Sequence, residues 1–258
     1  MEGNKIIAVD LGGTLLRAAV VKNNKILRYE KRETPKTQSA LLKEFVSIIE
    51  KLIDKDVKAI GIGSPGPLKD GIIKNPPNLP LKNFNLKKFL ENKFKKRVEI
   101  ENDACCVALA EAKLGCKKKN FLVLTLGTGI GGGVIIGGEL YKGQGYAGEL
   151  GHIVLDNGKY LETLWKKKNC EVKKLMEKKG KKQLNMTAEY LGQGIASLIN
   201  AFDPEVVILG GGVKETGNLF LNLIKKSVAK YQIIPRKVPI KWTGLKHPGT
   251  LGASLLVK

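Results

Sequence analysis

Phe121-Leu-Val-Leu-Thr-Leu-Gly-Thr-Gly-Ile-Gly-Gly-Gly-Val-Ile-Ile-Gly-Gly-Glu-Leu-Tyr141 decides the fold. Phe121–Leu126 is an apolar run of strand length, and Gly127–Gly133 reads as a glycine-dense turn. Val134–Ile136 then returns as a strand, Gly137-Gly138 suits a two-residue hairpin turn, and Glu139–Tyr141 reads as a third strand. Gly127, Gly129 and Gly132 fit the spacing of a dinucleotide fingerprint. That site needs a helix directly after the glycines, because the helix N-terminus holds the pyrophosphate, and here a hairpin follows. A Rossmann site is therefore disfavoured. A Walker A loop is absent, since no glycine loop ends in Gly-Lys-Ser or Gly-Lys-Thr.

The same order opens the chain. Ile6–Asp10 is strand-like, Leu11-Gly-Gly-Thr14 is a turn, Leu15–Val21 a strand, Asn23-Asn24 a hairpin turn and Ile26–Lys31 a strand. A helix follows over Ser39–Ile53, with Leu41, Leu42, Phe45, Ile48, Ile49 and Leu52 at helical spacing. Val57–Ile62 is a strand, Gly63–Pro67 a rigid loop and Asn75–Pro80 irregular. Leu86–Phe94 is a helix, Val98–Glu101 a strand, and Asp103–Leu114 a helix closed by Gly115. In the second half, Thr187–Phe202 is a helix, Glu205–Leu209 a strand before Gly210-Gly211-Gly212, Leu219–Ala229 a helix, and Leu251–Leu256 the last helix. The repeat is of architecture rather than of close sequence. It predicts two α/β domains facing each other across a cleft, with a glycine loop from each.

Composition narrows the class. The chain has 258 residues, 43% hydrophobic and 27% charged, which is ordinary for a globular protein and large enough for a sizeable core. Disorder, collagen and a disulfide-stapled miniprotein are excluded. No apolar run approaches the roughly 20 residues of a membrane helix. The strand-like run Lys5–Val9 comes without a leader pattern before it, so the expectation is a cytoplasmic protein. The 45 Lys and Arg against 24 Asp and Glu leave a net charge of +21. That suits either a polyanion partner or a lysine-rich solvated surface, and the scatter of the lysines with few aromatics among them favours the second. Cys105, Cys106, Cys116 and Cys170 form no metal-binding spacing and read as small buried hydrophobes.

Glycine-dense turns between strands bring backbone N–H groups close to phosphate oxygens. Thr14 and Thr128 add hydroxyl donors. Asp10 ends the strand before the first loop, where a carboxylate is well placed to hold Mg²⁺ bridging phosphates, and Arg17 adds positive charge. One loop alone would read as a tight turn. Two loops together with Gly210–Gly212 point to phosphate binding.

Five motifs in order carry a family resemblance: Asp10-Leu-Gly-Gly-Thr14, Asn102-Asp103-Ala104, Leu126-Gly-Thr-Gly-Ile-Gly-Gly-Gly133, Glu149-Leu-Gly-His152 and Leu209-Gly-Gly-Gly-Val213. They resemble the ROK family of repressors, open reading frames and kinases, over nearly the whole chain. The resemblance implies an α/β fold of two ribonuclease-H-like (actin-like ATPase) domains around a nucleotide/sugar cleft, divided as 1–101 plus 247–258 and 102–246. It implies ATP with Mg²⁺ placed by Asp10, a first phosphate loop of Gly12, Gly13, Thr14 and Arg17, and a second of Gly127, Thr128 and Gly129. Gly210, Gly211 and Gly212 would lie near the adenosine. Asp103 would be the general base on the sugar hydroxyl. Asn102, Glu149, His152 and Glu162 would hold other hydroxyls, with Gly66 and Asn78 lining the pocket. Without the resemblance, Asn102 and Asp103 would equally suit a plain helix cap.

The chain departs from the family pattern in three places. Many members carry a zinc-binding cysteine cluster between the histidine and the later glutamate, whereas Ile153–Leu161 is short and has no cysteine. The expectation is no structural zinc, with His152 left to the sugar. Cys105 replaces the usual asparagine after Asp-Ala. The chain starts at the kinase strand, so no DNA-binding domain is expected. The resemblance thus implies a glucokinase-type sugar kinase acting on a hexose 6-hydroxyl, expected as a homodimer. The alternatives are another sugar such as N-acetylmannosamine, N-acetylglucosamine or fructose, a polyphosphate donor, or a non-catalytic sugar sensor. The role of Leu164–Lys182 stays open.

Overall fold

The computed structural model describes residues 4–76, 78–169 and 181–257. Within them the chain forms two compact units. The first comprises residues 1–114, 142–146 and 245–258, and the second residues 115–141 and 147–244. Among the described residues no helix is long and apolar enough to cross a membrane.

In the first unit β1 (Lys5–Leu11), β2 (Leu15–Lys22) and β3 (Lys25–Glu33) form an antiparallel meander. β1 also pairs in parallel with β4 (Val57–Ser64), after the crossover helix α1 (Gln38–Leu52). Three two-residue strands, β5 (Leu68–Lys69), β6 (Ile72–Ile73) and β7 (Phe84–Asn85), make a small sheet of their own before α2 (Leu86–Phe94). β8 (Arg97–Asn102) completes the main sheet in the order β3-β2-β1-β4-β8. One face is filled by large apolar side chains, among them Ile7, Val9, Leu11, Leu16, Phe45, Ile48 and Ile60. The other carries Ala8, Ala19 and Val21, with Cys106, Ala110, Leu251 and Ala253 packed on them. Small residues there let backbone meet backbone. α3 (Asp103–Ala110) and, once the second unit has intervened, α7 (Pro248–Ser254) lie on this face.

The second unit repeats the plan. β9 (Phe121–Leu126), β10 (Ile130–Ile136) and β11 (Glu139–Leu140) are antiparallel. After α4 (Leu161–Asn169) and α5 (Lys181–Phe202), β12 (Val206–Gly210) pairs in parallel with β9. β13 (Ile240–Trp242) follows α6 (Gly217–Tyr231) and closes the order β11-β10-β9-β12-β13. The two main sheets therefore have the same strand order, and the glycine turn follows the central strand in each. Trp165, Leu191, Ile195, Phe220 and Ile224 fill the core beside Leu122, Leu124 and Val207.

Several boundaries differ from the sequence reading. The helix read as Asp103–Leu114 ends at Ala110, and Glu111–Gly115 is a π-helical turn. The first unit extends to Leu114 rather than stopping at Glu101, because α3 packs with α7 on the first sheet. The glycine run 127–133 is a turn only as far as Gly129, and Gly131–Gly133 continue as strand. A Cβ on Gly132 would stand 2.4 Å from the Gly148 carbonyl oxygen, so that strand glycine marks a close backbone approach. The last helix begins earlier than Leu251, at Pro248, whose fixed φ suits a first helical position. Cys105, Cys106 and Cys116 are buried free thiols. Cys170 and the middle of Leu164–Lys182 lie outside the described residues.

Glu205, just before β12, ties the second sheet together: its carboxylate accepts from the backbone N–H of Asn120 at 2.9 Å and of Lys119 at 2.8 Å. These bonds, with Lys118, hold its pKa below the ordinary 4.5. A carboxyl depressed by folding adds stability above its unfolded pKa and loses it as pH falls through the folded value. Glu205→Gln is therefore expected to lower Tm at pH 7 and to match the parent in strong acid, read by thermal denaturation across pH.

Candidate functional site

In the first unit the turn between β1 and β2 is held by side chains from beyond β3. Gly12 N–H donates to the Leu15 carbonyl at 3.0 Å, the Thr34 hydroxyl donates to the Gly12 carbonyl at 2.7 Å, and Lys36 Nζ donates to the Gly13 carbonyl at 2.9 Å. Asn78, at φ +64°, backs the loop so closely that a Cβ on Gly13 would meet its Cβ at 2.9 Å. Gly13 and Asn78 are thus brought together. Gly66, at φ +89°, is instead required by Pro76, whose Cα would lie 2.6 Å from an added Cβ. Thr14 is exposed on the turn.

Asp10 leaves the end of β1 with 20% of its side chain exposed, and its Oδ2 accepts from Arg17 Nη1 at 3.1 Å. Burial pushes its carboxyl above the ordinary range, while the Arg17 guanidinium and then His247 pull it back. Gly249 of α7 lies against this carboxylate, where a Cβ would stand 3.0 Å from Cγ. His247 caps α7 and packs on Tyr29 with ring centroids 4.5 Å apart. Mg²⁺ takes one or two carboxylates and completes its shell with phosphate oxygens and water. A single reachable carboxylate beside a glycine turn fits that demand, and among the described residues no cluster of three metal-ligating side chains competes with it.

Asn102 and Asp103 stand where β8 runs into α3. Asn102 is the cap: its Oδ1 accepts from Ala104 N–H at 2.9 Å and Cys105 N–H at 3.2 Å. This role uses the side-chain oxygen and leaves Asp103 on the first turn, its Oδ1 accepting from Ala104 N–H at 2.8 Å. Sequence reasoning missed the neighbours that fix this corner. Glu101 accepts from Asn102 N–H at 2.9 Å and pairs with Lys142, which the first unit keeps although its chain neighbours Leu140 and Tyr141 belong to the second.

In the second unit Glu149 and His152 face each other, Oε2 to Nδ1 at 3.2 Å, each about half exposed. His152 also packs edge-on against Tyr160, with centroids 5.5 Å apart. Glu162, on the first turn of α4, has its protein partners in the same unit. Its Oε2 accepts from Ile130 N–H at 2.8 Å and its Oε1 pairs with Lys166 at 2.5 Å, which places it beneath the glycine turn.

Gly127, Thr128 and Gly129 form the turn between β9 and β10, closed by Gly127 N–H donating to the Gly129 carbonyl at 3.0 Å. Gly211, at φ +90°, fits against this turn: a Cβ there would strike the Leu126 carbonyl oxygen at 2.2 Å. Gly210 faces Thr243, whose carbonyl accepts from Lys214 Nζ at 2.7 Å. So Gly127, Gly210–Gly212 and Thr243-Gly244 gather at the carboxyl ends of β9, β12 and β13, the end where open α/β sheets bind ligands. Gly127, Gly212 and Gly244 have neither a left-handed backbone nor any atom within 4 Å of an added Cβ. Neither conformation nor internal packing requires glycine at these positions, so the backbone there is open to close approach from outside. Gly244 carries no motif, and only its place beside Gly210 reveals it.

A family model described as the ROK family matches residues 6–170 and 158–258. The chain belongs to the ROK family. A glucokinase of Thermotoga maritima is 30% identical over 98% of this chain and 97% of its own. The crystal structure of a ROK hexokinase from Thermus thermophilus superposes with a TM-score of 0.83 at 31% identity, covering 98% of this chain and 97% of that one. A ROK family glucokinase from Streptomyces griseus, in complex with glucose and AMPPNP, gives a TM-score of 0.86 at 27% identity over 98% and 99%. The fold is accordingly the two-domain actin-like ATPase fold, which the matched strand orders of the two sheets display.

Proposed function

We propose that this ROK-family chain is a sugar kinase that transfers the terminal phosphoryl group of ATP to the 6-hydroxyl of a hexose, with glucose as the preferred acceptor. The observation that carries this reading is the pair of glycine turns after the central strands of two sheets of the same order, joined in the second unit by glycines that nothing internal requires. Phosphoryl transfer is mostly positioning and charge neutralisation, which is the work bare backbone can do. In this reading Gly12–Thr14 and Gly127–Gly129 take the phosphates, and Gly210–Gly212 with Gly244 take the nucleoside. Asp10, oriented by Arg17, would hold Mg²⁺, which when bound offsets phosphate charge. Asp103 accepts the proton of the attacking hydroxyl, while Asn102 fixes its helix turn. Glu149 and His152 bind further sugar hydroxyls. The glucokinases among the relatives support glucose as acceptor.

The test is ADP production from Mg-ATP with a panel of hexoses and N-acetylhexosamines, against a blank without sugar. Turnover highest with glucose is the expected result. A preference for an N-acetylhexosamine would replace the acceptor and keep the chemistry. No turnover with any sugar would remove ATP as donor, and polyphosphate, which the net charge of +21 suits, would be assayed next.

The bare glycines give a sharper prediction. Gly127→Ala adds a methyl group that meets no protein atom, so Tm should be unchanged or slightly higher. The methyl group would sit where the phosphates approach, and the KM for ATP should rise on the order of tenfold. An unchanged KM for ATP would take Gly127 out of the phosphate loop.

A further inference from the structure

We propose that Trp165 is a positioning residue for the phosphate donor, aiming the backbone of the Gly127–Ile130 turn from within the core. The proposal rests on the reading of that turn as a phosphate loop. Trp165 is 1% exposed, on the face of α4 that packs into the second core. Its indole Nε1–H donates to the Gly127 carbonyl at 3.0 Å. One helical turn earlier, Glu162 accepts from Ile130 N–H at 2.8 Å. Residues three apart share a helix face, so one helix grips both ends of the turn.

The consequence follows from peptide planarity. In a trans peptide the carbonyl of one residue and the N–H of the next point in opposite directions. Holding the Gly127 carbonyl against the buried indole turns the Thr128 N–H away from the core, and Thr128 is exposed. A turn with glycine at both flanks has many accessible peptide orientations, so the aim of that N–H must be imposed from outside the turn. A fully packed indole is a rigid means of imposing it. Glu162 adds a second restraint by filling the space beside Gly129, where a Cβ would stand 2.2 Å from its Oε2. α4 is itself seated on α5, with Leu161 so close that a Cβ on Gly194 would meet it at 2.5 Å.

Trp165→Phe keeps most of the buried ring and deletes the N–H. The KM for ATP is expected to rise about three- to tenfold, the value of one hydrogen bond, with the KM for sugar unchanged. A purely structural role would lower Tm without this split between the two substrates. Fluorescence gives a second readout independent of that variant's folding. The chain has two tryptophans, and the other, Trp242, donates its indole N–H to the Gly217 carbonyl at 3.0 Å. In Trp242→Phe, Trp165 alone reports, and Mg-ADP added without sugar should change its emission. An unchanged KM for ATP in folded Trp165→Phe, or an emission in Trp242→Phe indifferent to Mg-ADP, would overturn the proposal. Gly127→Ala separates this failure from that of the underlying reading. If Gly127→Ala raises the KM for ATP and Trp165→Phe does not, the loop binds phosphate and the indole does not aim it. If Gly127→Ala has no effect on the KM for ATP, the loop itself has been misread.

Discussion

Asp103→Asn is expected to lower kcat by about 10²- to 10⁴-fold, the usual contribution of a general base, while sugar affinity stays within about threefold. The substitution is nearly isosteric. Its carbonyl oxygen can still accept from Ala104 N–H, and the cap on α3 belongs to Asn102, so the local backbone has no reason to move. What is lost is the ability to take a proton. Steady-state kinetics with saturating sugar and Mg-ATP would give kcat, and calorimetric titration with sugar alone would give the affinity. Turnover close to that of the parent would remove Asp103 from the chemistry and leave it as part of a helix start. A parallel loss of sugar binding would instead give it a binding role.

Gly252→Ala is expected to be the most damaging one-carbon change in the first unit. An added Cβ would stand 1.7 Å from the Cys106 carbonyl oxygen and 2.3 Å from its carbonyl carbon. Both are backbone atoms of α3, so no side-chain rotation relieves the contact, and α3 and α7 must separate. Alanine is the better helix former by about 1 kcal/mol, which works in favour of the variant. Overpacking of a tight core costs about 1–3 kcal/mol and occasionally more, and a clash of backbone with backbone belongs at the upper end. The net loss should be about 2 kcal/mol, lowering Tm by roughly 4–8 °C for a chain of this size. Differential scanning fluorimetry of Gly252→Ala beside Gly127→Ala, which meets no neighbour, isolates the contact from the general effect of replacing glycine. A Tm equal to the parent's would mean that the two helices have slack between them.

The sequence made the glycine turns legible because each follows a run of strand length, Ile6–Asp10 before the first and Phe121–Leu126 before the second. That alternation also exposed the repeated architecture, and the ordered motifs identified the family. Other elements left no such trace. β13 is three residues, Ile240-Lys-Trp242, too short for a period, and β5, β6 and β7 are two residues each. Gly131–Gly133 read as turn because glycine carries no side-chain pattern, although the ladder to β9 runs straight through them. The site was legible at the level of residue types and less so at the level of neighbours. Glu162 reads from the motif order as a candidate site residue, but its partner Ile130 is 32 positions away in the chain. A separation of 38 positions from Gly127 hid Trp165 in the same way, its sequence signal being an aromatic residue on an apolar helix face.

The seat of α7 on the first sheet also sets an order of events during synthesis. Ala8, Ala19 and Val21 leave the ribosome early, yet Leu251 and Ala253, which cover them, follow the whole of the second unit. Until then that face of the sheet has α3 with Ile26, Tyr29 and Leu114 against it, but not α7. The nascent first unit is therefore an unfinished domain with an apolar face open to chaperones or to other nascent chains, and its completion is tied to the production of Leu251 and Ala253. A ribosome that stalls within the second unit would hold a first sheet that cannot close.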